Sequence, residues 1–430
     1  MLVSCIGFTE LIILNVSIKF MTLKMIHRTR AECGICKNSD LKTVIEYGLV
    51  PLAGDFPSSD QLQNGQKYNL NIQFCTECGL LQTDSTIDAG TLFKDYRYIS
   101  SVGLAEHFSA VATQIKSKFN PRKVLEIGSN DGVLLKPLSD LGIDAFGVDP
   151  AINICKIAES KGCHVYNEYF NEDFVRGHEL DNHFDFIVSN NCFAHIEDIR
   201  SVVAGVKRAL CEDGHFQIEV HYVKSLIDEL QYDNIYHEHL YYYSLSSLHH
   251  LFSKNGMTIV DYEEIPIHSG SIRVIVKNCV SPLGCKISER LRLERECWGV
   301  TSLGYFTNFG ERVDKHIQSI GVQLNKLKGK IVGYGASGRA NMVCALANIG
   351  PQLVEYIVDD SPERNGRYIS ATHIPIVDKN HLDKDPIGPE YILIFAWNFA
   401  EPIMEKLQNN QYKYIILFPE VRILGDKKHV

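Results

Sequence analysis

Two Cys-x-x-Cys pairs, Cys33/Cys36 and Cys75/Cys78, mark the first chemistry this sequence can perform. Tetrahedral zinc takes four thiolates, and a Cys-x-x-Cys turn presents two sulfurs to one ion. Gly34 and Gly79 let those turns curl. With all four positions held by protein, no ligand place is left for water, so the pattern predicts a structural rather than a catalytic zinc site. The 38 residues between the pairs exceed ordinary zinc-ribbon spacing and should form strands or loops of their own. The competing readings are ordinary buried thiols or a redox pair.

Two glycine-rich turns differ in the ligand they suit. Glu126, Gly128, Asn130 and Gly132 make an E-x-G-x-N-x-G turn after the apolar run Lys123–Ile127. Glycines there admit close approach of a ligand to the backbone. Asp149, ending the next strand, can accept both hydroxyls of a ribose, and Asn190 and Asn191 end the strand in fourth position. The set suits S-adenosylmethionine, a donor without phosphate; a tight turn with no ligand is the alternative. Gly333-Tyr334-Gly335-Ala336-Ser337-Gly338 is instead the G-x-G-x-x-G dinucleotide pattern, with Asp359 or Asp360 about 20 residues on to hold a ribose. Free N–H groups and partial positive charge at a helix N-terminus suit a diphosphate, and Arg339 and Arg364 could add charge-assisted contacts. A nucleotide sugar, NAD(P) and a degenerate structural repeat are all open readings of this turn.

The densest polar cluster is Tyr236-His237-Glu238-His239, followed by Tyr241, Tyr242 and Tyr243. His-Glu-His would suit a metal, but H-E-x-x-H is absent. An extended segment would place His237 and His239 on one side and Glu238 on the other. The alternative is acid–base work: histidine titrates near neutral pH, and tyrosine can donate to a developing oxyanion, which proton removal beside a ketone requires. Buried aromatic packing is the bland reading. His195, just after the Asn190-Asn191 pair, is a second acid–base candidate.

The elements that must position these residues alternate strand and helix. Strands are expected over Lys123–Gly128, Asp144–Asp149, Phe184–Asn190 and Gly214–Val220, with a helix over Val202–Leu210. A second series runs Lys330–Gly335, Tyr356–Asp360, Tyr391–Trp397 and Tyr414–Phe418, and a largely helical bridge, Ser288–Leu327, lies between. This predicts an α/β protein with two doubly wound parallel sheets, their ligands at the carboxyl ends of the strands.

The 430 residues leave room for two or three domains. Lys plus Arg number 43 against 52 Asp plus Glu, a net of −9, so no basic field exists for nucleic acid. Thirteen cysteines, an odd number at irregular spacing, do not read as a secreted disulfide framework and point to a reducing cytoplasm. Met1–Phe20 is mostly apolar, but Glu10 and Lys19 interrupt it and no basic segment or small-residue cleavage site accompanies it. Its apolar stretch Leu11–Ile18 is too short for a bilayer, which takes about 20 residues. No membrane partner is expected.

Taken in order, Cys33, Cys36, Cys75, Cys78, then Glu126–Gly132, Asn191–Ile196, Tyr236–His239, His268–Arg273 and Gly333–Gly338 recur together in one family. Over residues 30 to 425 the chain resembles the nucleotide-sugar C-methyltransferases, which include the sugar 3-C-methyltransferases of deoxysugar biosynthesis. The resemblance implies an extension over 1–27, a zinc-binding module over 28–95, a class I methyltransferase domain with a Rossmann-like doubly wound sheet over 96–285, and a second Rossmann-like domain over 286–430 that binds a sugar nucleotide. It implies that His239 removes the proton beside the ketone of a nucleotide-linked 4-keto sugar, commonly dTDP-linked. It also implies that Glu238, Tyr236 and His195 position the sugar or stabilise the enolate, and that Tyr96 or, preferably, Tyr98 enters the same site. Glu126, Gly128, Asn130, Gly132, Asp149, Asn190 and Asn191 then hold the donor, and Gly333, Tyr334, Gly335, Ser337, Gly338, Arg339, Asp359 and Arg273 the substrate. An O- or N-methyltransferase on such sugars and an NAD-dependent oxidoreductase are the alternatives.

Overall fold

The computed structural model describes residues 27–93, 99–407 and 412–425. Tyr96 and Tyr98, and the extension before residue 27, lie outside them. The first module holds β1 (His27–Thr29), β2 (Leu41–Pro51), β3 (Lys67–Cys75), β4 (Leu81–Thr83) and β5 (Ser85–Ile87). β2 and β3 form the long antiparallel ladder predicted only as strands or loops, and β3 ends on Cys75, so the strand itself delivers the second cysteine turn.

The central sheet is built from β6 (Lys123–Ile127), β7 (Asp144–Val148), β8 (His164–Tyr166), β9 (Phe184–Asn190), β10 (Leu210–His221), β12 (Thr258–Ile265) and β13 (Ser271–Lys277). Its order is β8-β7-β6-β9-β10-β13-β12, parallel except that β13 runs antiparallel to both its neighbours. Val124, Leu125, Phe186, Ile187 and Val188 are wholly buried, because helices cover both faces and every side chain of a middle strand meets apolar surface. Helix Ser101–Phe119 packs Ala112 and Ile115 on one face, and helix Ile199–Ala209 packs Val202, Val203 and Val206 on the other.

The C-terminal sheet runs β16 (Ile376–Val377), β15 (Ile357–Val358), β14 (Ile331–Tyr334), β17 (Tyr391–Ile394), β18 (Lys413–Ile416), β19 (Arg422–Leu424), all parallel but the last. Helices Cys285–Arg292 and Leu303–Asn325 bridge the two sheets. Between them Glu294, fully buried, accepts hydrogen bonds from Tyr222 Oη (2.6 Å), Leu245 N (2.9 Å) and Ser246 N (2.7 Å). Three donors offset the cost of burying that carboxylate, which in turn satisfies the first two N–H groups of the helix Leu245–Lys254, itself capped by Ser244.

The modules are interleaved rather than strung out. β11 (Tyr241–Tyr242), from the tyrosine run, does not join the central sheet: it pairs antiparallel with β4 and extends the zinc-module sheet to β11-β4-β3-β2. The loop after β2 docks on the C-terminal sheet, where Asn341 Nδ2 donates to the carbonyls of Leu52, Ala53 and Asp55 and Ser370 Oγ donates to Asp55. Among the described residues no helix is long and apolar enough to cross a membrane.

Candidate functional site

The four cysteine sulfurs lie within 4.8 Å of one another, with Cys33–Cys78 and Cys36–Cys75 each 3.5 Å apart. The two turns are built alike. Lys37 N donates to Cys33 O and Gly79 N to Cys75 O, and both residues have positive φ, +62° and +71°. The neighbouring Cys75, with burial behind it, drives the Cys33 thiol up, and burial, with Cys75 beside it, raises Cys36, so holding these sulfurs as thiolates needs a cation among them. Four converging soft donors fit Zn2+ and leave no coordination place open.

At the carboxyl edge of the central sheet, Gly128 (φ +74°), Asn130 (φ +47°) and Gly132 (φ +76°) adopt left-handed backbone. A Cβ on Gly128 would lie 2.4 Å from Cys192 Sγ, and one on Gly132 2.7 Å from Cys163 Sγ, so both positions exclude any other residue. Asp149 accepts from Asn130 N (3.0 Å) and Ala151 N (2.9 Å), which ties the end of β7 to the turn after β6. Burial raises the carboxyls of Glu126 and Asp149, and the neighbouring acids Asp149 and Asp131 raise Glu126 further. Glu126 Oε2, Ser129 Oγ, Ser189 Oγ and Asn190 Nδ2 are buried with no hydrogen-bond partner. Orphaned polar atoms in an acidic cradle fit a ligand with hydroxyls and positive charge, which describes the ribose, ammonium and sulfonium of S-adenosylmethionine better than a phosphate. Asn191 (φ +54°) donates to Glu219 Oε1 at 3.2 Å. Glu126, Gly128, Asn130, Gly132, Asp149, Asn190 and Asn191 therefore share one sheet edge, around the turn that follows β6 and the ends of β7 and β9.

The histidine segment is a turn, closed by His239 N to Tyr236 O (3.0 Å). This corrects the extended geometry expected from the sequence. The turn sends His237 toward Tyr68 of the zinc module (ring centroids 6.0 Å) and His239 the other way, onto Tyr236 (4.0 Å) and His195 (4.9 Å). His239 Nδ1 lies 2.7 Å from Asn234 O, and His195 Nδ1 lies 2.7 Å from Glu238 O. A carbonyl only accepts, so the proton of the neutral His239 ring sits on Nδ1 and its lone pair on Nε2, whereas the His195 ring has a second carbonyl, that of Asn191, beside it. Burial, with His195 beside it, holds His239 well below the usual histidine range. Burial pushes Glu238 up to about 7 and leaves its Oε2 without a partner. Two further histidines converge here: His221, at the end of β10 and pushed down to about 3, and His268 (φ +53°), pushed down to about 4, burial being the first cause in both. Sequence reasoning gave neither a role, although His221 follows the strand Gly214–Val220 by one residue.

The second glycine turn is used internally. Gly333 is packed against Ile357 and Phe395, Gly335 (φ +91°) against Ala396, and Gly338 against Ala53 of the zinc module, so a Cβ on any of them would crowd protein atoms. Ser337 caps its own helix by accepting from Ala340 N, and Asp359 accepts from Ala336 N (2.7 Å) and pairs with Arg364 (3.3 Å). Tyr334 Oη donates to Asp360. Like Arg364, the other two arginines expected on the substrate have carboxylate partners. Arg273, on β13, holds Glu219 Oε2 (2.9 Å), whose other oxygen is 2.9 Å from His107 Nε2. Arg339 forks onto Asp233 (2.8 and 3.0 Å).

Counting the central strands in chain order, 3-2-1-4-5-7-6 with the seventh antiparallel and an acidic cradle at the first turn define a class I methyltransferase that uses S-adenosylmethionine. Three family descriptions match successive stretches: zinc binding domain over residues 33–93, methyltransferase domain over 96–262, and C-methyltransferase C-terminal domain over 266–419. Together the three matches, in this order, span most of the chain and describe a C-methyltransferase that uses S-adenosylmethionine. The chain is 29% identical over 413 residues to the C-methyltransferase NovU of Streptomyces niveus, a match covering 92% of this chain and 97% of that protein. Over 100 residues it is 30% identical to the ubiquinone biosynthesis O-methyltransferase of Glaesserella parasuis serovar 5 (strain SH0165), 22% of this chain and 42% of that one. Among solved structures, the PH0226 protein of Pyrococcus horikoshii OT3 is 17% identical with a TM-score of 0.36, covering 44% of this chain and 97% of that one. The complex of the Haloferax volcanii Trm112 activator and a methyltransferase gives 15%, 0.35, 42% and 94%.

Proposed function

We propose that this C-methyltransferase methylates the carbon beside the ketone, C3, of a nucleotide-linked 4-keto deoxyhexose, dTDP-linked, as a step of deoxysugar biosynthesis. The observation that carries the reading is the neutral His239, whose Nδ1 proton is committed to Asn234 O and whose Nε2 is thereby a base. Removing a proton from the carbon beside a ketone requires a base of that kind, and a raised carboxyl beside it can donate to the enolate oxygen that forms.

In this reading a ketone acidifies the neighbouring C–H, and His239 Nε2 accepts the proton. The Nδ1–H bond to Asn234 O then stabilises the imidazolium. Glu238, raised to about 7, is partly protonated at neutral pH and donates to the developing enolate oxygen, alongside Tyr236. Bound S-adenosylmethionine supplies an electrophilic methyl for that carbon. Glu126, Asp149 and Asn190 hold the donor at the sheet edge, so that donor and acceptor carbons are oriented before reaction. The nucleotide-linked form of the sugar follows the family resemblance and the presence of a second doubly wound domain against the site.

A panel of dTDP-, UDP- and GDP-linked 4-keto sugars, incubated with donor and protein, tests the reading by mass spectrometry and product NMR. A new C–CH3 signal on one of them is expected. A methyl found on oxygen or nitrogen, or no gain with any member, overturns it.

A further inference from the structure

A short 3-10 turn, Tyr232–Asn234, is gripped by all three modules. From the zinc module, Tyr47 Oη donates to Tyr232 O (3.1 Å). From the bridging helix, His316 accepts from Tyr232 Oη (3.1 Å) at Nδ1, because its Nε2–H is given to Leu417 O (2.8 Å). From the C-terminal domain, Arg339 forks onto the fully buried Asp233, Trp397 Nε1 donates to the same carboxylate (2.9 Å), and the guanidinium lies 4.7 Å above the Trp397 ring. From the central sheet, His221 meets the side chain of Asn234 (2.7 Å).

The proton positions along this path follow from its ends. Gln231 Nε2 donates to Ser269 O (2.7 Å), so Gln231 Oε1 faces His221 and accepts from Nε2–H (3.0 Å). His221 Nδ1 then accepts from Asn234 Nδ2. The side chain and flanks of Asn234 are thereby fixed, and its backbone carbonyl is the acceptor that sets the tautomer of His239.

We infer that Asp233, Arg339 and Trp397 are positioning residues: docking of the C-terminal domain on Asp233 holds the Asn234 carbonyl where it keeps His239 in its Nδ1–H form. Arg339 thus acts on the base through Asp233 and Asn234. The geometry suits the role. A bidentate fork is planar and directional, and a carboxylate that also takes an indole N–H leaves little freedom to rotate. The ion pair also lies in a dry place, where loss of one partner leaves an uncompensated charge. The inference rests on the reading of His239 as the base, but its signature is independent of any sugar.

The test is long-range proton–nitrogen NMR of the full chain carrying 15N-labelled histidine, with S-adenosylhomocysteine titration as the check of an intact donor site. Wild-type protein is expected to show His239 with Nδ1 protonated and Nε2 bare. Asp233→Asn, and Arg339→Lys, which keeps the charge but loses the fork, should admit the Nε2–H tautomer while S-adenosylhomocysteine still binds. Should Asp233→Asn fail to bind it, Arg339→Lys and Trp397→Phe decide, the latter removing a single hydrogen bond. A merely structural clamp would lower the melting temperature and leave His239 wholly in the Nδ1–H form; that result overturns the inference. If His239→Asn keeps full methyl transfer while the tautomer shift stands, the assignment of the base has failed and the positioning has not.

Discussion

Tyr241 stands directly opposite Gln82 in an antiparallel ladder, and Tyr242 opposite Leu81. Gln82 Oε1 in turn accepts from Gly34 N (2.9 Å), inside the first cysteine turn. Cys75 ends β3, the strand beside β4, while Tyr241 begins two residues after His239. Leu240 O also accepts from Thr83 N (3.0 Å), and Leu240 N donates to Ala194 O (2.9 Å), next to His195. The zinc turns, the β11–β4 ladder and the two candidate histidines, His195 and His239, are one continuous hydrogen-bonded body.

Removal of zinc should therefore abolish methyl transfer although the metal meets no substrate. Without the metal the bonds that tie the Cys33/Cys36 turn to the Cys75/Cys78 turn are gone, so β4 and, through it, β11 would lose their register. Treatment with a strong chelator is expected to lower the melting temperature and to remove activity, and stoichiometric Zn2+ should restore both. Full activity in a protein shown metal-free by elemental analysis would contradict this.

Gly128→Ala tests the donor cradle by itself. The new Cβ would lie 2.4 Å from Cys192 Sγ, at a φ of +74° that alanine rarely adopts. The turn must shift, and with it the amide of Asn130 and the carboxylate of Asp149. Donor affinity by calorimetry should drop by tenfold or more, about 1.4 kcal/mol, while the zinc content is unchanged. Wild-type affinity would show that the turn does not approach the donor.

Much of this was legible in the residues. Lys123–Ile127 and Phe184–Asn190 read as buried parallel strands because burial on both faces writes continuous apolar runs. The cysteine spacing spoke for itself. β12 and β13 did not stand out: Thr258–Ile265 carries Asp261, Glu263 and Glu264 on a sheet edge, and its register slips between Ile259 and Asp261. Arg273 looked like a cation for substrate, because sequence gives a charge but not the partner, Glu219, that faces it across the β10–β13 ladder. The segment Tyr236–His239 looked extended, since nothing in four polar residues reveals that a backbone bond from His239 to Tyr236 will turn it and separate His237 from His239.

The pH dependence of methyl transfer should be bell-shaped. His239 works deprotonated and its value is held well below the ordinary 6.5, so the acid limb falls below that pH. Glu238 works protonated, at about 7, so the rate declines as pH rises through that value. Glu238→Gln, a permanent donor, should remove the alkaline limb and keep the acid one. His239→Ala should lower kcat by roughly 10²–10⁴-fold and abolish solvent deuterium exchange beside the ketone. Exchange at the wild-type rate would place the base elsewhere.

His237 offers a separate test, of stability rather than rate. It is 2% exposed, edge-on to Tyr68, and burial pushes its imidazole down to about 4 from an ordinary 6.5. Between those values the unfolded chain binds a proton at this site that the folded chain does not, so acidification favours unfolding, by about 1.4 kcal/mol per pH unit for one group. The contribution is fully present above pH 6.5 and fades as pH falls toward 4. His237→Phe keeps a ring against Tyr68 and has no proton to take up. Its urea midpoint relative to wild type should therefore improve steadily from pH 6.5 down to 4, against a constant difference above 6.5. A difference that does not change with pH would show that His237 is protonated in the folded protein.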